Sequence, residues 1–290
     1  MLFKLPNVPT EKNLIDHAFS RAGKEAAKIM SAKGKRDAKI RNANLARIRT
    51  ASAIIEGDLN AVIKQFPSYE LLPDFYRKLL DIKINKDTYK KNLGALQWAL
   101  KKTRQLSKDS LKAARNDRDE AKRFFGRTAS VIKQISGELD QLVEIKRTLV
   151  NFPLMEDAKT LVVAGYPNVG KSTFVKTLTG SKVKIAAYPF TTQNLLVGHK
   201  MMKYERVQIV DSPGLLERPN ERRNPIERQA MLAIQELADA VLFIVDPAQE
   251  LESQLSLLKE IRSLFGNIHV VINKADVAQA RDMDAAEKAF

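Results

Sequence analysis

TLVVAGYPNVGKSTFVKTLTG, residues 160–180, decides how the second half of this chain folds. TLVVA is a short apolar run rich in Val, STFVKTLTG reads as a helix, and GYPNVGKS between them (165–172) fits GxxxxGK[ST]. A strand feeding a helix through such a loop is a cradle for phosphate. Gly165 and Gly170 let the backbone curl until its N–H groups converge, with Pro167, Asn168, Val169 and Thr173 completing the lining. Lys171 then offers a point charge to the β and γ groups, Ser172 offers a hydroxyl to Mg²⁺, and the helix start adds its positive end. The plain alternative is a glycine-rich strand-to-helix turn that binds nothing.

Further along, VQIVDSPG (207–214), AVLFIVD (240–246) and HVVINKAD (269–276) are apolar runs of the same texture, each ending in a polar loop. Together they predict a largely parallel α/β sheet, in which ligands sit at the carboxyl ends of the strands. Asp211 ends the second run, placed to hold the magnesium directly or through water, and Gly214 would offer its N–H to the γ-phosphate. Between the two motifs lies YPFTT (188–192). A threonine hydroxyl there could complete the metal shell only when a γ-phosphate is present; Thr192 is the first choice and Thr191 the alternative.

Upstream the composition changes. The whole chain has 290 residues and no cysteine, which excludes a disulfide framework, a CxxC redox site and thiolate metal sites. No run approaches the roughly 18 apolar residues of a membrane span, and the opening MLFKLPNVPTEKN lacks a signal-peptide core, so a chain neither exported nor anchored is expected. Residues 1–150 hold 32 Lys and Arg against 17 Asp and Glu, whereas the remainder holds 17 of each. A positive field confined to one part points to a polyanionic partner, RNA first, and says nothing of fold.

No proline occurs from Thr10 to Phe66, and Leu14, Ala18, Ala22, Ala26, Ile29 and Met30 recur at helical spacing, predicting one or two helices. The densest basic segment, 31–49, interrupted by Gly34, supplies Lys33, Lys35, Arg36, Lys39 and Arg41 as candidate RNA-phosphate contacts. Between Pro73 and Pro153 only long helices fit, with Ile132, Ile135, Leu139, Leu142 and Leu149 as a packing seam interrupted at Lys146. The expected architecture is a basic helical bundle over 1–153, followed by a phosphate-loop α/β domain over 154–290.

Asn273-Lys-Ala-Asp276 resembles the guanine-specificity motif of P-loop GTPases, in which the Asp pairs with guanine N1 and N2 and the Asn and Lys shape the ring pocket. The resemblance implies GTP and GDP rather than ATP as ligand, because adenine has no such donor pair. GYPNVGKST (165–173), AAYPFTTQNLLVG (186–198) and DSPGLLERPNERRNPIERQA (211–230) resemble the Obg branch of translation-factor-related GTPases. NPIERQ (224–229) and FYRKLLDIKINKDTYKKNLGALQWA (75–99) narrow this to the nucleolar GTP-binding protein 1 family in a short archaeal form.

From that resemblance follow an enzyme hydrolysing GTP to GDP and phosphate, with Lys171, Thr192 and Gly214 as its catalytic residues, and a switch acting in large ribosomal subunit biogenesis. It also implies a large subunit or its precursor and ribosomal RNA as partners, and so a ribosome-associated setting. A cytoplasmic home is the default, the absence of an evident apolar surface repeat makes a monomer the default, and without an amphipathic anchor no stable membrane association is expected. The other readings are a constitutive RNA-binding placeholder with a largely structural GTP site, and an Obg-like GTPase with a membrane-linked role. Where Ras-like enzymes place a water-orienting glutamine this chain has Leu215, so intrinsic hydrolysis is expected to be slow. Asn168 occupies the position that can coordinate K⁺ in similar GTPases, and can equally only shape the loop. The two histidines of this half, His199 and His269, read as structural. The chain ends fourteen residues after Asp276, before the family's last guanine-contacting loop, so an incomplete domain is expected.

Overall fold

The structure, a computed structural model, describes residues 4–82, 84–152, 155–156, 158–180, 184–187, 194–211 and 225–290. Ahead of the first strand the described residues form α1 (Glu11–Ser31), α2 (Arg36–Gln65), α3 (Asp74–Asp81), α4 (Lys86–Ala113), α5 (Glu120–Gln134) and α6 (Ser136–Val150). By packing, the chain divides into two compact units that interleave in sequence: Phe3–Leu71 with Ile84–Arg147, and Leu72–Lys83 with Thr148–Phe290.

In the first unit α2 packs on α1, α4 and α5. The Thr10 hydroxyl starts α1 by accepting from the Asn13 N–H at 3.3 Å. The helix then buries Leu14, Ala18, Ala22 and Ala26, a four-residue repeat whose small side chains let α2 approach closely. Opposite lie Ile48, Ala51, Ile55, Leu59 and Val62, all fully buried. The proline-free segment forms two helices rather than one, parted where Gly34 takes φ +147°. Asn85 caps α4 by accepting from the Thr88 N–H at 2.8 Å. All five seam residues from Ile132 to Leu149 are buried although the helix breaks at Ile135, and Ile145 fills the step beside Lys146.

The second unit is built on β1 (Thr160–Ala164), α7 (Lys171–Thr179), β2 (Lys184–Ala187), β3 (Asn194–Met202), β4 (Glu205–Asp211), α8 (Pro225–Leu237), β5 (Ala240–Val245), α9 (Leu251–Leu264), β6 (Ile268–Ile272) and α10 (Ala280–Ala289). The strands form one sheet in the order β2-β3-β4-β1-β5-β6. β4, β1, β5 and β6 run parallel, as the four apolar runs predicted, and β3 pairs antiparallel with both β2 and β4. Val162 at the sheet centre lies between Val210 and Val241, and all three are fully buried, as strands covered on both faces require. Helix α3 belongs to this unit and packs on α8, where Lys78 pairs with Glu236. Its Tyr76 ring stacks on Phe152 with centroids 5.7 Å apart, and the Tyr76 hydroxyl accepts from the Met155 N–H at 3.0 Å.

Candidate nucleotide site

The carboxyl ends of β1, β4 and β6 carry residues 165–173, Asp211 and residues 273–276. The loop from β1 to α7 turns through Gly165 at φ +145°, Asn168 at φ +62° and Gly170 at φ +100°. A Cβ on Gly165 would stand 2.4 Å from the Ile244 carbonyl oxygen, and one on Gly170 would stand 2.4 Å from Asn273 Nδ2. Both positions therefore need glycine for conformation, and Gly165 needs it for space as well. Val169 anchors the loop by entering the core beside Val163 and Val175. Pro167 and the exposed Asn168 stand at the crest, and Thr173 is exposed in the first turn of α7.

Lys171 is 6% exposed and its Nζ donates to the Tyr166 carbonyl at 2.6 Å. Burial lowers its pKa to about 8 against the pull of the nearby Asp211 carboxylate. The ammonium is thus desolvated and waits for an anion stronger than a carbonyl. Ser172 Oγ donates to Asp211 Oδ2 at 2.5 Å. Burial raises the Asp211 carboxyl above its ordinary range, although Ser172, Lys171 and Lys176 all oppose the shift. Its Oδ1 is buried without a partner among the described residues. A hydroxyl and an under-satisfied carboxylate side by side form an all-oxygen donor set suited to a hard divalent cation.

Asn273 and Lys274 follow β6 and dock on the phosphate loop. The Asn273 N–H donates to the Val245 carbonyl at 2.8 Å, and its Nδ2 donates to the Val169 carbonyl at 2.8 Å. Lys274, at φ +59°, sends Nζ to the Asn168 carbonyl at 2.9 Å. Asp276 stands exposed in the turn after them. The sequence reading missed Asp246, which Lys274 and Gln249 contact, and Gln254, which holds the Asp246 main chain. One signal pointed there: Asp246 ends an apolar run as Asp211 does. Thr191, Thr192, Gly214 and Leu215 lie outside the described residues. His199 faces Glu156, with Nε2 3.5 Å from Oε1.

Of the basic residues, Lys33 and Lys35 flank Gly34 in the α1–α2 turn, and Arg36 opens α2. The Lys39 ammonium donates to the Ala32 carbonyl at 3.0 Å, so it closes the end of α1. Near the same end of α2 a cavity of about 240 Å³ is lined by Arg41, Asn44, Arg115, Asn116 and Arg118 together with Asp37.

Two family models match the chain. The NOG1 N-terminal helical domain covers residues 3–156, and a model described as 50S ribosome-binding GTPase covers 160–274. The chain belongs to the nucleolar GTP-binding protein 1 family. It is similar to an uncharacterized protein of Methanocaldococcus jannaschii, 36% identical over 94% of this chain and 80% of that one. It is also similar to nucleolar GTP-binding protein 1 of Eremothecium gossypii, 32% identical over 97% of this chain and 46% of that one. The Saccharomyces cerevisiae protein of the same name is 31% identical over 97% of this chain and 45% of its own length. The chain thus spans most of the archaeal relative and under half of these two eukaryotic ones. As a member of the nucleolar GTP-binding protein 1 family it is a GTP-binding protein that hydrolyses GTP. No helix among the described residues is long and apolar enough to cross a membrane.

Proposed function

We propose that this GTPase is a switch in assembly of the large ribosomal subunit, gripping ribosomal RNA with its basic helical part and releasing it on hydrolysis. The observation that carries this reading is the charge division: the first 150 residues hold 32 basic against 17 acidic side chains, and the rest is balanced. The helical part is also the stretch that matches the family's own N-terminal domain. On this reading Gly165 to Thr173 wrap the phosphates, and Asn273, Lys274 and Asp276 take the guanine. Ser172, Asp211 and Thr192 hold magnesium, which neutralises charge on the β and γ phosphates when bound. Asn168 at the loop crest is the group that would take a K⁺ ion. Gly214 meets the γ-phosphate, and Leu215 leaves the attacking water without an orienting side chain, so turnover by the isolated protein is slow.

Co-sedimentation with large subunits in GDP, in a non-hydrolysable GTP analogue and without nucleotide tests the switch. Stronger pelleting with the analogue, weakened by salt, is expected. Equal pelleting in all three states would favour a placeholder with a structural GTP site, since a ligand without differential affinity shifts no equilibrium. No pelleting at all would move the search to precursor RNA or to anionic membranes. The family context and the charge favour a ribosome-associated protein, with the cytosol as its default setting and a monomer as its default state.

The RNA face has its own test. Replacing Lys33, Lys35, Arg36 and Arg41 with alanine spares Lys39, which holds the α1–α2 turn together. The variant should bind ribosomal RNA more weakly, with a salt dependence flattened by about 0.7–0.9 in log–log slope for each phosphate no longer neutralised. An unchanged slope would place the RNA-binding face elsewhere.

A further inference from the structure

Among the described residues, one buried acid in the nucleotide half touches both the phosphate loop's neighbours and the base-reading motif without being part of either. Asp246 directly follows β5, the strand between β1 and β6, and is 2% exposed. Its Oδ2 accepts from Lys274 Nζ at 2.7 Å and from Gln249 Nε2 at 3.0 Å, and its Oδ1 accepts from the Ala248 N–H at 3.0 Å. Fully buried Gln254 clamps the Asp246 main chain from both sides. Its Oε1 accepts from the Asp246 N–H at 2.9 Å and its Nε2 donates to the Asp246 carbonyl at 2.9 Å.

The cationic and the side-chain amide donor on this carboxylate each have a second acceptor in the phosphate loop. Lys274 reaches the Asn168 carbonyl at 2.9 Å, and Gln249 reaches the Pro167 carbonyl at 3.4 Å. Two bridges therefore run from one fixed acid to consecutive carbonyls at the loop crest. Asn168 and Lys274 both hold a left-handed backbone at φ +62° and +59°, which a residue with a Cβ keeps only when its surroundings hold it. Burial works to raise the Asp246 carboxyl, but Lys274, the Ala248 N–H and Gln249 outweigh it and keep the acid below its ordinary range.

We propose that Asp246 is a positioning residue for nucleotide binding: through Lys274 and Gln249 it locks the base-reading motif to the crest of the phosphate loop, and so slows nucleotide release and sharpens guanine selectivity. This rests on Asn273 to Asp276 being the guanine pocket. Asp246 is enclosed by these protein partners and acts through Lys274 and Gln249. With the charge gone, the Lys274 ammonium keeps only the Asn168 carbonyl, and Asp276, two residues on in an exposed turn, loses its fixed aim at the base.

The test compares the full chain with Asp246→Asn, Lys274→Met and the double variant. Asparagine preserves the size of the side chain and the acceptor for Ala248 while removing the charge. The readouts are release of a fluorescent GDP, competition by GTP, ITP and ATP, and thermal melting. Asp246→Asn is expected to release GDP ten- to a hundredfold faster and to narrow the preference for GTP over ITP. In the Lys274→Met background it should add little, because the path it acts through is already cut. Gln249→Ala, at a less buried position, should give a smaller change in the same direction even if Asp246→Asn melts early. Unaltered release in Asp246→Asn, or an equal and additive effect without Lys274, would overturn the assignment. A parent chain that does not prefer GTP to ATP would instead overturn the pocket reading on which it rests.

Discussion

Lys171→Ala is expected to weaken GTP and GDP binding by about 2–5 kcal/mol, roughly thirty- to several-thousand-fold, because the substitution removes the buried cation that faces the phosphates. Calorimetry in magnesium-containing buffer measures it, and affinity within threefold of the parent would remove the phosphate-loop reading. The free protein should not unfold, since the variant also removes a desolvated charge that is held by the Tyr166 carbonyl. A pH signature accompanies this. In the free protein Lys171 titrates near 8, below its ordinary 10.5, and bound phosphates restore its proton. Nucleotide binding should therefore take up a proton above pH 8, with affinity falling toward about tenfold per pH unit there and flat with respect to this group below it. Binding enthalpies at pH 8.5 in buffers of different ionisation enthalpy report the uptake directly. The same depressed pKa means that the unfolded chain holds the proton more tightly, so the free protein gains stability as pH rises from about 8 toward 10.5. The alanine variant should lack that gain.

The second large effect is expected at Asp276. Asp276→Asn replaces a charged double acceptor by an amide, which loses about 1.5–3 kcal/mol with guanine, roughly ten- to over a hundredfold. Xanthine presents an oxygen where guanine has its amino group, so the amide should gain with xanthine nucleotides what it loses with guanine ones. Competition of GTP and XTP against a fluorescent nucleotide reads both at once. Retained preference for GTP would mean that another group reads the base.

Much of this site is local in sequence, and that part was legible. A phosphate loop needs its glycines, lysine and serine at fixed spacing between one strand and one helix, and the Asp211 and Asn273 motifs each close an apolar run. The order of apolar runs also implied a mostly parallel sheet, because parallel strands are buried on both faces and read as unbroken Val and Ile. What was hidden depends on contacts between distant segments. Asp246 and Lys274 stand 28 residues apart, and only the adjacency of β5 and β6 turns an ordinary acid just after a strand into a partner for Lys274. Lys39 likewise looks in sequence like one more phosphate contact, yet its ammonium closes a helix end. The break at Ile135 was invisible because the buried repeat runs straight through it.

Helix α3 carries a consequence for how the protein is made. It lies between α2 and α4 in sequence, yet Phe75, Tyr76, Leu79 and Leu80 are buried in the unit that contains α8. On the ribosome α3 emerges long before Leu237 completes α8, and at about 5–20 residues per second that interval lasts roughly 8–30 s. Throughout it, this short helix with two aromatic and two leucine side chains lacks its packing partner α8. No single cut in its gene would therefore release the GTPase half with all of its core.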